Sequence, residues 1–286
     1  MNILTFDIEE WFHILDNETT KTEKQWSNYE CRLYGNMERI FQILSENKLK
    51  ATFFCLGWIA EKYPDIIKKI AALGYEVASH SYNHQLIYEM NRNTFRKDLK
   101  KSIFHLEDLT GKKVKTYRAP GFSIISSNLW AFEILHELGI ENDCSVFPAA
   151  RAHGGIPDFR YSEPCIIAFN GIEIKEFPMN IVKILGKKII FSGGGYFRLL
   201  PYRFIYRMNK KSDYVMTYFH PRDFDPEQPV IETLSGIRKF KSYVGLKTSE
   251  NKLQRWIKDF EFTDLKTYNT LIDWTKAKKI NLFHAQ

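Results

Sequence analysis

The stretch KATFFCLGWIAEKYPDIIKKIAALGYEVASHSYNH, residues 50–84, decides the fold class. Its opening run, KATFFCLG, mixes Thr, Phe and Cys with no polar alternation, the pattern of a strand buried on both faces. PDIIKKIAALG then carries Pro64 at a first-turn position and Gly74 just past the end, which predicts a helix. YEVASH follows as the next strand. Strand, helix and strand in this order are the unit of a mainly parallel α/β sheet.

The same rhythm extends outward in both directions. NILTF opens the chain, and a helical stretch around MERIFQILSEN leads into residue 50. Beyond residue 84, TFRKDLKKSIFHLEDLTG places Phe95, Leu99, Ile103 and Leu106 at helical spacing, with Thr94 as candidate cap and Gly111 as terminator. VKTYRAPG, SSNLWAFEILHELG and ENDCSVFP carry the alternation through residue 148. Residues 149–212 are less regular, and ARAHGGIPDF and FSGGGYFRLLP read as surface loops suited to forming a pocket. DYVMTYFHP (213–221) restores a strand, and closing helices are expected around 249–279. No repeat or linker interrupts the 286 residues, so a single catalytic domain over 1–286 is expected, a size that α/β barrels reach.

Composition narrows the class further. With 44% hydrophobic and 15% aromatic residues, the chain can pack a core and lies outside the disordered regime. The formal charge of +7 is spread as Lys doublets from Lys68-Lys69 to Lys278-Lys279, which reads as solvated helix faces rather than a nucleic-acid stripe. A mild attraction for anionic substrates is compatible with it. Cys31, Cys55, Cys144 and Cys165 form no CxxC pair and read as thiols of a reducing compartment. No basic segment leads into an apolar one at the start, and no apolar run reaches about 18 residues, so a cytoplasmic protein without a membrane span is expected.

In a parallel α/β sheet, catalytic groups gather where strands deliver their last residues. At those ends stand Asp7 with Glu9, His80 with His84, Arg118, Asp143 and His220. HSYNH spaces two imidazoles four apart, which lets them meet one metal ion if the backbone is helical there. Ser81 occupies the place that a HExxH peptidase gives to glutamate, and the SGGG run lacks the following Lys-Ser/Thr of a phosphate-binding loop.

Asp7 in TFDIEE, HSYNH, RAPGF and the late TYFHP resemble, in order and spacing, the motifs of the polysaccharide deacetylase family, over roughly residues 1–225. DIEEWFH, SGGGYFRLLP and HPRDFDPEQP look like a branch associated with exopolysaccharide synthesis. The resemblance implies a distorted, incomplete (β/α) barrel of about seven strands and metal-dependent removal of acetyl groups from N-acetylated sugars or oligosaccharides. It implies Asp7 as general base, His80 and His84 as metal ligands, and His220 as general acid. It further implies Arg118 as the group orienting Asp7, the backbone N–H near Gly121 facing the oxyanion, and Asp143 holding His220. Zn2+ is the expected ion, with Co2+, Ni2+ or Fe2+ also compatible with the donors. A nucleotide or lipid carrier on the sugar is left open. The same machinery acting on a cyclic ureide or imide, and a carbohydrate-binding pseudoenzyme, are the competing readings.

The first motif departs from the family pattern, because Ile8 stands where many members place a second aspartate. Side chains alternate along a strand, so Asp7 and Glu9 share a face that Glu10 does not. Glu9 is therefore the expected third metal ligand. Glu10 is the runner-up if the strand bulges at Ile8, and otherwise a helix-start acid.

Overall fold

The computed structural model describes residues 1–283 except 16 and 185. Its main sheet has the order β8-β6-β7-β5-β4-β3-β2-β1, where β1 is Thr5–Ile8, β2 Thr52–Cys55, β3 Glu76–Ser79, β4 Thr116–Tyr117, β5 Asn142–Asp143, β6 Cys165–Phe169, β7 Ile172–Glu176 and β8 Lys279–Asn281. β1 through β5 are parallel, and β7 continues parallel to β5. The fold is a distorted barrel in which residues 213–221 lie against β1 and the residues before it through the isolated bridges Phe6–Phe219 and Ile3–Met216.

Register builds one rim. Ile8 pairs with Cys55, Cys55 with Ser79, Ser79 with Tyr117 and Tyr117 with Asp143. The residues that leave these strands, Glu9, His80 and Arg118, therefore emerge side by side. Asp7 N–H donates to the Phe219 carbonyl at 2.7 Å, which brings the following His220 to the same place.

Helices cover the outer face: α1 (Leu33–Glu46), α2 (Gly57–Lys62), α3 (Pro64–Ala72), α4 (Arg92–Thr110) and α5 (Ala131–Glu137). α1 buries Leu33, Met37, Ile40 and Leu44, a stripe at helical spacing. α4 starts earlier than the Thr94 cap predicts. Its cap is Asn91, whose side chain accepts from the N–H groups of Asn93 and Thr94, while Thr94 Oγ1 accepts from Asn91 N–H. Gly111 ends α4 in the left-handed conformation, as expected. At Gly57 a Cβ would stand 2.6 Å from the Tyr82 ring and 2.8 Å from the Ser102 Cα, so only glycine lets α2 press between α4 and the loop after β3.

Residues 149–212 are more ordered than the loop reading allows. β6 and β7 form an antiparallel hairpin through Asn170 and Gly171, both at positive φ, the signature of an Asn-Gly turn. A second hairpin pairs Val182–Ile184 with Lys187–Ile189. Helices α6 (Gly194–Leu199) and α7 (Tyr202–Lys210) follow. Beyond residue 221 come α8 (Gly236–Tyr243), α9 (Leu246–Asp259) and α10 (Leu265–Leu271). Among the described residues, no helix is long and apolar enough to cross a membrane.

Candidate active site

Asp7 lies at the carboxyl end of β1, and its neighbour in space is the fully buried Arg118. The guanidinium Nη1 donates to Asp7 Oδ1 at 2.6 Å and to Thr5 Oγ1 at 2.9 Å, and its plane rests over the Phe54 ring at 4.0 Å. A carboxylate pinned on one oxygen in this way leaves Oδ2 to face the site. The orienting contact expected between Arg118 and Asp7 is present.

Glu9 sits one pleat further on, facing the two histidines. His84 Nε2 lies 2.9 Å and His80 Nε2 3.0 Å from the same oxygen, Glu9 Oε1. His80 Nδ1 is 2.7 Å from the Arg118 carbonyl, which only accepts, so Nδ1 carries a hydrogen and Nε2 is the nitrogen turned to Glu9. A proton or a metal ion between that nitrogen and the carboxylate oxygen accounts for the close approach. One ligand atom from each of Glu9, His80 and His84 lies within 4.8 Å of the others, all three are buried, and two nitrogens with one carboxylate oxygen suit a catalytic divalent metal. Burial opposes ionisation of Glu9, but the surrounding imidazoles of His84, His220 and His80 outweigh it and hold its carboxyl well below the usual range.

The HSYNH pair meets without a helix. Residues 80–84 form a loop in which Ser81 (φ 69°) and His84 (φ 53°) are left-handed. Asp98 of α4 braces it by accepting from the N–H groups of Tyr82 at 2.8 Å and Asn83 at 3.1 Å. The loop conformation replaces the helical spacing on which the sequence reading relied.

His220 Nε2 stands 3.9 Å from both Asp7 Oδ2 and Glu9 Oε1. Burial would lower its pKa, but Glu9, Asp223 and Asp7 outweigh that effect and push it up to about 9. Its Nδ1 is held at 3.1 Å by Asp223 Oδ2, which also accepts the His220 backbone N–H at 2.9 Å. Behind them the buried Arg198 Nε lies 3.0 Å from Asp223 Oδ1.

Asp143 does not hold His220, contrary to expectation. Its carboxylate accepts from Ser145 Oγ at 2.6 Å and Ser145 N–H at 3.1 Å, and Ser145 Oγ in turn accepts from Ala119 N–H at 2.8 Å. Strand β5 thus aims Asp143 into the scaffold below the turn that follows Arg118. Gly121 lies in that turn with φ 60°, and a Cβ there would meet Leu15, Leu86 and His153. Glu10 points away from Glu9. Its carboxylate accepts from the N–H groups of Arg32 and Leu33 at the start of α1, a helix-start acid that serves a helix more than twenty residues onward.

Asp223 and Arg198 are site neighbours that the sequence reading passed over. The spacing His-Pro-x-Asp matches a capping box with proline in the first turn, a signal available in the sequence. His13 is buried with Nε2 unpartnered, its ring 6.0 Å from that of His84, and burial and then the His84 charge hold its pKa well below the usual value. The SGGG glycines pack closely, since a Cβ on Gly193 would stand 2.1 Å from the Tyr218 carbonyl oxygen.

Residues 17–142 match the family described as Polysaccharide deacetylase, and residues 144–270 match Domain of unknown function (DUF3473). The first match begins after Asp7 and Glu9, and His220 falls in the second. Peptidoglycan-N-acetylglucosamine deacetylase of Bacillus cereus is 36% identical over 96 residues, covering 33% of this chain and 35% of that protein. Peptidoglycan deacetylase of Helicobacter pylori is 33% identical over 93 residues, 32% of each. The chain thus spans about a third of the length of these curated relatives. Among solved structures, a candidate polysaccharide deacetylase from Mycobacterium smegmatis superposes with a TM-score of 0.69 at 18% identity, covering 100% of this chain and 94% of that one. A CE4 family pseudoenzyme from Bacillus anthracis superposes at 0.51 with 15% identity, covering 100% and 69%. At these identities the likeness is one of fold.

Proposed function

Through residues 17–142 the chain belongs to the polysaccharide deacetylase family, and on that footing we propose that it is a metal-dependent hydrolase removing an acetyl group from an N-acetylated sugar during assembly of a cell-surface glycan. The observation that carries this reading is the gathering of Glu9, His80 and His84 on one rim between Asp7, held by Arg118, and His220, held by Asp223. A sugar-binding protein without catalysis has no use for a fixed base and a fixed acid on either side of a metal cluster.

Hydrolysis of an acetamide needs a polarised carbonyl, a nucleophile at neutral pH and a proton for the departing nitrogen. A divalent cation held by Glu9, His80 and His84, Zn2+ first among the candidates, would polarise the carbonyl and acidify water. Asp7 Oδ2 takes the proton of the attacking water, and Arg118 keeps the carboxylate aimed while it does so. The backbone N–H of Gly121, in the turn directly after Arg118, is the proposed donor to the oxyanion. His220 Nε2 delivers a proton to the nitrogen as the C–N bond breaks, leaving acetate and a free amine. Asp223 fixes the tautomer by accepting from Nδ1–H, so that Nε2 is the nitrogen turned to the reacting centre.

Acetate release from N-acetylhexosamine oligosaccharides tests the proposal. Release that stops on chelation and returns on adding Zn2+ is the expected result. Turnover undiminished after verified metal removal contradicts it, and so does metal-loaded protein that binds the sugar without releasing acetate. Comparing free, nucleotide-linked and lipid-linked acceptors then identifies the carrier.

A further inference from the structure

α8 buries none of its side chains, although it adjoins α6: Arg198 of α6 donates to the carbonyl oxygens of Lys241, Ser242 and Val244. The two helices turn large apolar groups to solvent, with Ile237 71%, Phe240 57%, Leu199 51% and Tyr196 46% exposed. Each pair is three residues apart on its helix and so points the same way. Exposed apolar residues scattered singly need no explanation, whereas several on adjoining helices mark an interaction surface.

The chain's charge excess collects in the same place. Residues 194–212 and 233–249 hold nine of the 41 Lys and Arg and none of the 34 Asp and Glu, so the remainder of the chain is slightly acidic. Arg198 is buried against Asp223 and Lys239 pairs with Glu232. Arg203, Arg207, Lys210, Lys211, Lys241 and Lys247 are exposed and have no acidic partner among the described residues. Apolar side chains bordered by unpaired cations match the headgroup layer of an anionic bilayer, where the apolar groups enter the acyl boundary and the cations meet phosphates.

The surface borders the site. Arg238 of α8 donates to the Leu15 carbonyl and lies 3.1 Å from His153 Nε2, and Leu15 and His153 are the residues around Gly121. The Tyr196 ring lies 5.8 Å from the Arg151 guanidinium, which is also 5.9 Å from the Tyr218 ring, itself 6.2 Å from that of His220.

We propose that α6 and α8, flanked by the cations of α7, dock on the surface of an anionic lipid bilayer beside the active-site rim. Docking of this kind does not depend on the reaction, so vesicle binding tests it separately from acetate release. The full chain should sediment with phosphatidylcholine vesicles containing phosphatidylglycerol about tenfold more strongly than with pure phosphatidylcholine, and high salt should weaken the binding. The double substitution Ile237→Ser, Phe240→Ser should lower binding by about tenfold with an unchanged melting curve, since both side chains lie in solvent. Equal binding by wild type and double variant, or no preference for the anionic vesicles, overturns the proposal. A dimer in light scattering that the double variant abolishes also overturns it, in favour of a second copy as the occupant of this face.

Discussion

Glu9 and Glu10 are adjacent in sequence and opposite in surroundings, and strand alternation alone told them apart. Glu9 faces two imidazoles while Glu10 accepts backbone N–H groups at the start of α1. Glu9→Gln should lower metal affinity by more than the roughly 10–100-fold typical of losing an outer hydrogen-bond partner. Glu10→Gln should keep the metal and lose about 1 kcal/mol of stability, because its bonds to the helix start are charge-assisted. Metal titration calorimetry with melting curves separates the two, and a larger metal loss in Glu10→Gln would reverse the assignment. The partner of His220 was not legible in the same way. Asp143 ends β5 and Asp223 follows the segment 213–220, but only the turn at Pro221–Phe224 folds a carboxylate back onto the ring. Asp223→Asn keeps the volume and removes the acceptor charge, so turnover should fall by at least about tenfold with metal affinity and KM little changed. A fall in KM-related binding alone would make Asp223 a substrate contact instead.

The element that brings the candidate metal ligands together is the loop at 80–84. The His-x-x-x-His spacing brings His80 and His84 together on Glu9 through a loop in place of the expected helix, because left-handed positions fall on Ser81 and His84, where no glycine announces them. Non-glycine residues in this region are strained and persist only where the surroundings over-determine them. Here the bracing comes from Asp98, and from Gly57 and Trp58 N–H groups donating to the Ser81 and Tyr82 carbonyls at 2.9 and 3.1 Å. Asp98→Ala should therefore loosen the loop and weaken metal binding about 10–100-fold while leaving α4 folded. Unchanged metal affinity with a normal helix signal would mean that the loop holds its shape without Asp98. The Asn170-Gly171 hairpin is the opposite case, since its turn chemistry was written in the sequence inside a segment read as loops.

Across the whole molecule, the alternation of strands and helices was legible because β1 and β2 are buried on both faces and helices such as α1 carry a buried stripe. The convergence of Glu9, His80 and Arg118 on one rim follows from register, which no local pattern encodes. The same sheet conceals an acid pair that the sequence could not reveal. Glu176 is fully buried at the end of β7, with Oε1 accepting Val146 N–H at 3.1 Å and Oε2 lacking a partner beside Asp143. Burial first, and then the charge of Asp143, raises the Glu176 pKa well above the ordinary value of 4.5, and Asp143 is raised by its own burial. A proton on Glu176 supplies the donor that Oε2 otherwise lacks. The folded state thus retains protons that the unfolded chain releases above its own carboxyl pKa values. Stability from this pair is fully present below the unfolded values and is lost as pH rises through the folded ones. Glu176→Gln offers an amide N–H to Asp143 and an oxygen to Val146 at every pH. Its melting temperature should exceed that of wild type by a few degrees near pH 8, with the gap closing toward about pH 5. A gap independent of pH, or one that widens on acidification, would show that the pair carries no shared proton.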